Sequence, residues 1–286
     1  MQYCINFDKD NRYLEQADEV IIEYHQGKTE LRLKPFLDAH PNQKIILNIN
    51  IDDFSQRFLE TLQYLVEYSN FRLKIHTTGF IAHLKSQIPV PFFFTTPAKT
   101  YEDLYKAAQC GACEVYIDSA LGFALRDCRT IADKLNIKLR SLPFLPLEYT
   151  GEHHKSYWQY FIRPEDVDLY GHFIDTIELY GPVSYVNVLY QAYQEKKWNG
   201  RLNEIFPYLT DNYDNRYIIG DWSIKRVNCH RRCMVIPRCT ICKDVYDLAI
   251  SLEQLGVIIP AEIRRKEITP DIEKIEEKTE QIKPNF

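Results

Sequence analysis

Along the first two thirds of the chain, short apolar runs rich in β-branched and aromatic residues recur, and stretches with apolar residues every three to four positions lie between them. The first kind predicts buried strands and the second predicts amphipathic helices that cover them. The runs QYCINF (2–7), EVIIEY (19–24), KIILNIN (44–50), FRLKIH (71–76), PFFFTT (91–96), EVYID (114–118) and IKLRSL (137–142) read as strands, followed by YFIRP or DTIELYG around 160–181. DFSQRFLETLQYLVEYS and ALGFALRDCRTIADKLN read as covering helices. Seven or eight such units in one chain point to a closed TIM-like (β/α) barrel. A doubly wound sheet is the competing arrangement, but no Gly-rich phosphate loop follows the first strand, and the chain has only 10 glycines from which to build one.

The pattern weakens after residue 181. The stretch 182–228 is rich in Tyr, Asn and Trp and reads as an excursion with a helix at VNVLYQAYQEKKW. KDVYDLAISLEQLG places Val245, Leu248, Ala249, Leu252 and Leu255 on one face and predicts a closing helix ended by Gly256. The organisation expected is a barrel over 1–181, then the excursion, a cysteine-rich loop and the closing helix over 182–256, then a charged tail over 257–286. No internal repeat is visible.

If the barrel closes, its chemistry belongs at the C-terminal ends of the strands. That rule selects Glu23 and His25, Asn48, Asn50, Asp52 and Asp53, His76, Thr95 and Thr96, Asp118, Arg140, and Arg163 with Glu165. Among them Glu23, His76, Asp118 and Arg163 are the candidate catalytic set, because carboxylates and a histidine converging on one mouth suit acid/base work. Each has a plainer reading. An acid before a helix caps it, an arginine before a proline pairs with a neighbouring acid, and a histidine at a strand end is held by hydrogen bonds.

Composition narrows the setting. The chain of 286 residues is 45% hydrophobic and 26% charged, with no apolar run long enough to span a bilayer, so a cytoplasmic protein without a membrane partner is expected. In a reducing compartment its 8 cysteines read as thiols or metal ligands. Cys110 and Cys113 form C-x2-C where a helix meets a strand, a place for small packing residues, and Cys4 and Cys128 are read the same way. The net charge of −5 gives no overall pull on nucleic acid.

One stretch stands apart. In CHRRCMVIPRCTIC, the thiols of Cys229, Cys233, Cys239 and Cys242 fall within fourteen residues, spaced C-x3-C-x5-C-x2-C among basic side chains. Such a set can hold a metal tetrahedrally, as zinc or as an iron–sulfur cluster, and nearby cations lower thiol pKa values. The C-x3-C-x2-C arrangement of radical-SAM enzymes is absent. Arg231, Arg232 and Arg238 make a local basic patch that suits RNA or another anionic substrate, though a short basic run is also what a solvated face looks like.

FIRPEDVDLYGHFIDTIELYG (161–181), LYQAYQEKKWNGRLNEIF (189–206), AAQCGACEVYIDSALGF (107–123) and the terminal cysteine element together resemble the collagenase-like proteins of peptidase family U-32. The resemblance implies a TIM-like barrel and a [4Fe-4S] cluster held by Cys229, Cys233, Cys239 and Cys242. It also implies modification of an RNA base or small aromatic compound by oxygen-independent hydroxylation. The chain departs from the family after the seventh strand, where RSLPFLPLEYTGEHHKSYW carries no cysteine. Two other readings compete: a non-catalytic binding or assembly protein with a structural zinc knuckle, and a peptidase. For the last, the chain shows no nucleophile elbow and no H-E-x-x-H.

Overall fold

The computed structural model describes residues 1–8, 10–24, 29–49, 56–65, 70–76, 90–145, 160–206, 209, 212–216, 223–224, 227, 229 and 240–259. Eight parallel strands form a closed barrel in chain order. They are β1 (Gln2–Asn6), β2 (Glu19–Glu23), β3 (Lys44–Ile49), β4 (Phe71–Ile75), β5 (Phe92–Phe94), β6 (Glu114–Tyr116), β7 (Lys138–Ser141) and, after an inserted hairpin, β10 (Thr176–Leu179). The hairpin pairs β8 (Phe144–Leu145) with β9 (Tyr160–Phe161). Closure is made by β1 on β10, with Gln2 opposite Thr176 and Ile5 opposite Leu179. Of the two candidates for the last strand, DTIELYG therefore enters the barrel and YFIRP does not. No arrangement of a doubly wound sheet fits a strand order that returns to its start.

Strand alternation divides the residues into two cores. Outward residues such as Val20, Leu47, Leu73, Val115, Leu139 and Ile177 are fully or almost fully buried under the helices. Inward, Cys4, Ile21, Ile46, Phe93 and Tyr116 form a small separate cluster within the barrel. The remaining inward positions are polar, and they build the site described below.

The helices are α1 (Thr29–Ala39), α2 (Gln56–Leu65), α3 (Tyr101–Gln109), α4 (Leu125–Leu135), α5 (Val167–Tyr170), α6 (Val183–Glu195), α7 (Leu202–Ile205) and α8 (Ile241–Gln254). Local signals set their limits. Thr100 caps α3 in a capping box with Asp103, and α4 and α6 stop at Asn136 and Lys196, both left-handed. The boundary expected at 181 falls between β10 and α6, which buries Val186, Leu189, Tyr190 and Tyr193. The rings of Tyr190 and Tyr193 lie against Tyr3 of β1, centroids 5.9 and 6.0 Å away.

α8 arises where the closing helix was expected and buries Val245, Ala249 and Leu252. Leu255 departs from expectation, being 76% exposed. The helix ends at Gln254, so Leu255 is a cap whose side chain leaves the apolar stripe before Gly256 turns the chain at φ +71°. β12 (Ile258–Ile259) then pairs with β11 (Asn212–Tyr213). No helix among the described residues is long and apolar enough to cross a membrane.

Candidate active site at the barrel mouth

The inward side chains are stacked along the barrel axis. At the N-terminal end and middle, Glu19, Arg72, Glu114, Arg140 and Glu178 form a buried ionic cluster, joined by Lys74. Arg140 is its hub. It donates from Nε to Glu114 Oε2 at 3.0 Å and from Nη2 to Glu114 Oε2 at 2.8 Å, and Nη2 also donates to Glu19. Its guanidinium lies 4.8 Å from the Phe93 ring centroid. Arg72 pairs with both Glu19 and Glu114. Three cationic side chains thus face three carboxylates inside the barrel. Burial alone would raise the Glu19 carboxyl, but Arg140 and Arg72 outweigh it and hold it below the usual value.

Arg140 had been expected on the rim. It is instead fully buried. The reason is register and partners: Arg140 stands opposite Thr176, the first residue of β10, so that strand rises past it, and its guanidinium turns to Glu114 and Glu19.

Above this cluster lies a cavity of about 470 Å³. Lys74, Tyr116 and Glu178 belong to its wall together with Asn6, Glu23, Asn48, His76, Thr95 and Tyr180. Lys74 Nζ donates to Glu178 Oε1 at 2.8 Å, and the Tyr116 hydroxyl donates to Glu178 Oε2. Burial, and then the Glu178 charge, push the Tyr116 hydroxyl well above its ordinary pKa, which keeps it a donor. Tyr180, at the end of β10, is 62% exposed beside the cavity.

Across the mouth runs a hydrogen-bonded row from four consecutive strands. Asn48 Nδ2 donates to both oxygens of Glu23, at 3.0 and 2.9 Å. Asn48 Oδ1 lies 3.0 Å from His76 Nε2, and His76 Nδ1 lies 3.2 Å from Thr95 Oγ1. A carboxylate only accepts, so the Asn48 amide nitrogen must face Glu23 and its oxygen must face His76. His76 Nε2 therefore carries the proton, and in the neutral ring Nδ1 is left to accept from the Thr95 hydroxyl. Burial, and then the charge of Lys74, lower the His76 pKa, with Glu23 opposing them. The ring is thus neutral and a base at physiological pH.

Two of the four catalytic candidates, Glu23 and His76, meet in this row. Asp118 and Arg163 are not part of the cavity wall. Asp118 Oδ1 accepts the Ala120 backbone N–H at 2.8 Å at the start of a 3-10 turn, Ser119–Leu121. Arg163 is buried and grips Asp166 with Nε and Nη2 at 2.7 and 2.8 Å. Thr96 is exposed, and Glu165 accepts from Trp198 N at 2.6 Å and from Asn215 Nδ2 at 2.8 Å. His25, Asn50, Asp52 and Asp53 lie outside the described residues.

Sequence reasoning passed over Lys74, Tyr116, Glu178, Tyr180 and Asn6. A signal for the first was present: in FRLKIH the outward positions are Phe71, Leu73 and Ile75, and the inward ones are Arg72, Lys74 and His76, all basic or titratable.

Of the cysteine set, Cys229 is buried at 4% exposure and Cys242 is the second residue of α8. Cys233 and Cys239, with Arg231, Arg232 and Arg238, lie outside the described residues. No three His, Cys, Asp or Glu side chains among the described residues are grouped as metal ligands. Cys113 Sγ donates to Phe92 O at 3.2 Å and burial raises its pKa, the behaviour of a packed thiol.

No family model matches the chain, and no curated protein matches it. Several solved structures overlap with it weakly. The U32 peptidase Mk0906 is 11% identical over 64% of this chain and 94% of its own, with a TM-score of 0.44. A 3-keto-L-gulonate-6-phosphate decarboxylase from Vibrio cholerae O1 is 15% identical over 68% of this chain and 96% of its own, at 0.42. The muconate lactonizing enzyme from Pseudomonas putida is 13% identical over 50% of this chain, at 0.39, and the match spans 46% of that protein. The barrel assignment rests on the strand pairing itself, and these overlaps add nothing about the chemistry of the mouth.

Proposed function

We propose that this chain is a barrel enzyme that takes a small polar, planar substrate into the mouth and moves a proton through His76. One observation carries the reading: His76 is oriented in a single tautomer by Asn48 and Thr95, on the wall of a cavity that also contains Lys74. Lys74 offers a cation to an anionic or carbonyl oxygen, and Tyr180 offers a ring face for a nucleobase or similar aromatic compound. Titrating the full chain with nucleobases and aromatic acids, while following the His76 ring signals by NMR, tests it. At least one class should shift His76 and bind at least about tenfold more weakly to Lys74→Met. No response from any class, or equal binding to Lys74→Met, overturns the reading.

The proposal extends to a metal. Cys229, Cys233, Cys239 and Cys242 are a donor set for an iron–sulfur cluster of the [4Fe-4S] type, with zinc as the alternative, and the buried Cys229 suits a thiolate removed from water. Such a cluster, when bound, supplies one-electron chemistry, as the resemblance to U-32 proteins implies for base hydroxylation. Arg231, Arg232 and Arg238 would then receive an RNA backbone. Metal and acid-labile sulfide analysis of protein purified without oxygen should show both, and Cys239→Ser should lose them. Stoichiometric zinc without sulfide would make the loop a structural knuckle and favour a binding protein.

A further inference from the structure

The row Thr95–His76–Asn48–Glu23 has an order that the proton-transfer reading does not use. Thr95 follows β5 by one residue, and its backbone N–H donates to Ile75 O at 2.9 Å, which continues the β4–β5 pairing past the strand. This contact fixes Thr95 beside His76. A hydroxyl then meets an imidazole nitrogen, the imidazole is oriented by an amide, and the amide is held by a carboxylate. Nucleophile, base and orienting group in hydrogen-bonded sequence is the geometric signature of covalent catalysis, recognised by roles rather than by any sequence motif. The absence of a nucleophile elbow in the sequence is therefore no obstacle.

We infer that Thr95 Oγ1 is a nucleophile activated by His76, and that the mouth carries out acyl transfer on an ester or amide of a small polar acid. The inference rests on the acid/base role of His76 and adds a covalent step. Thr95 Oγ1 bonds to the substrate carbonyl carbon while its proton passes to His76 Nδ1. The imidazolium then gives that proton to the departing alcohol or amine as the carbon–heteroatom bond breaks. Water repeats the sequence, releasing the acid and restoring the hydroxyl. Lys74 lies two residues before His76 on the same face of β4. It uses one N–H on Glu178, and its other two hydrogen-bond to nothing among the described residues, so they are donors for the developing oxyanion.

The test is labelling of the full chain with an alkyl fluorophosphonate, in which the Thr95 oxygen displaces fluoride from phosphorus, read by intact mass and peptide mapping. One adduct on Thr95 is expected. It should be absent in Thr95→Val, retained in Thr95→Ser, and slowed about 100-fold in His76→Asn. The rate should be flat at alkaline pH and fall with a midpoint below 6.5, the ordinary histidine value. Thermal melts of each variant separate loss of reactivity from loss of fold. No adduct on Thr95 in the wild-type chain, or equal rates in His76→Asn, overturns the inference. If ligand still shifts the His76 signals while Thr95 stays unlabelled, the nucleophile fails and the proton-transfer reading stands; if neither occurs, both fail.

Discussion

Asn48 and His76 show how much one side chain's hydrogen-bonding sense can decide. Because Glu23 accepts only, the amide of Asn48 has one orientation, and that orientation selects the imidazole tautomer. The opposing influences on His76 make a prediction with a sign. Its NMR titration midpoint should lie below 6.5, rise in Lys74→Met, and fall further in Glu23→Gln. The stability tied to the neutral ring follows from the same shift. The folded state binds the proton less readily than the unfolded chain, so this contribution is complete above about pH 6.5 and is lost as pH falls through the lowered folded value. Urea unfolding of the wild-type chain and His76→Gln across pH 5–8 should show a shallower acid-side decline in the variant.

At the scale of elements, the inward faces of β2, β4, β6, β7 and β10 are balanced against one another. Removing one charge strands the rest: Arg140→Met leaves Glu19 and Glu114 buried beside a single remaining guanidinium, that of Arg72, and should cost about 3–5 kcal/mol in urea unfolding. The lowered Glu19 pKa adds a pH signature. Its contribution is present above the ordinary carboxyl value near 4.5 and disappears as pH falls through the folded value, a step that Glu19→Gln should abolish. A third element-level prediction concerns the turn from β10 into α6. Gly181 has φ +144°, and a Cβ there would stand 2.7 Å from the Tyr185 ring. Gly181→Ala should therefore destabilise by about 1–3 kcal/mol and shift Tyr180 beside it.

The same elements show what the sequence made legible. Strand positions, the helix at 125–135 and the closing helix could be read because period-2 and period-3.6 patterns are local. Even the inward alternation of FRLKIH was visible. The partners were not. Arg140 meets Glu19 across 121 positions of chain, and its depth in the barrel depends on the stagger of the strands rather than on its own neighbours. Asp118 and Arg163 failed to join Glu23 and His76 for a related reason: each found a nearer partner, Ala120 N and Asp166, within three residues.

For the molecule as a whole, the barrel has no free edge only because its first and eighth strands pair. Deleting residues 1–7 should leave β2 and β10 with open edges, and size-exclusion chromatography should show aggregation instead of a monodisperse peak. The same pairing has a consequence in time. Gln2 and Thr176 meet across about 170 residues, so on a ribosome adding roughly 5–20 residues per second β1 emerges about 9–35 s before its partner exists. Throughout that interval Tyr3, Cys4 and Ile5, all buried at the end, are a newborn strand with one neighbour missing. The barrel can therefore close only once its last strand has been made, and until then the edge of β1 that meets β10 is unpaired.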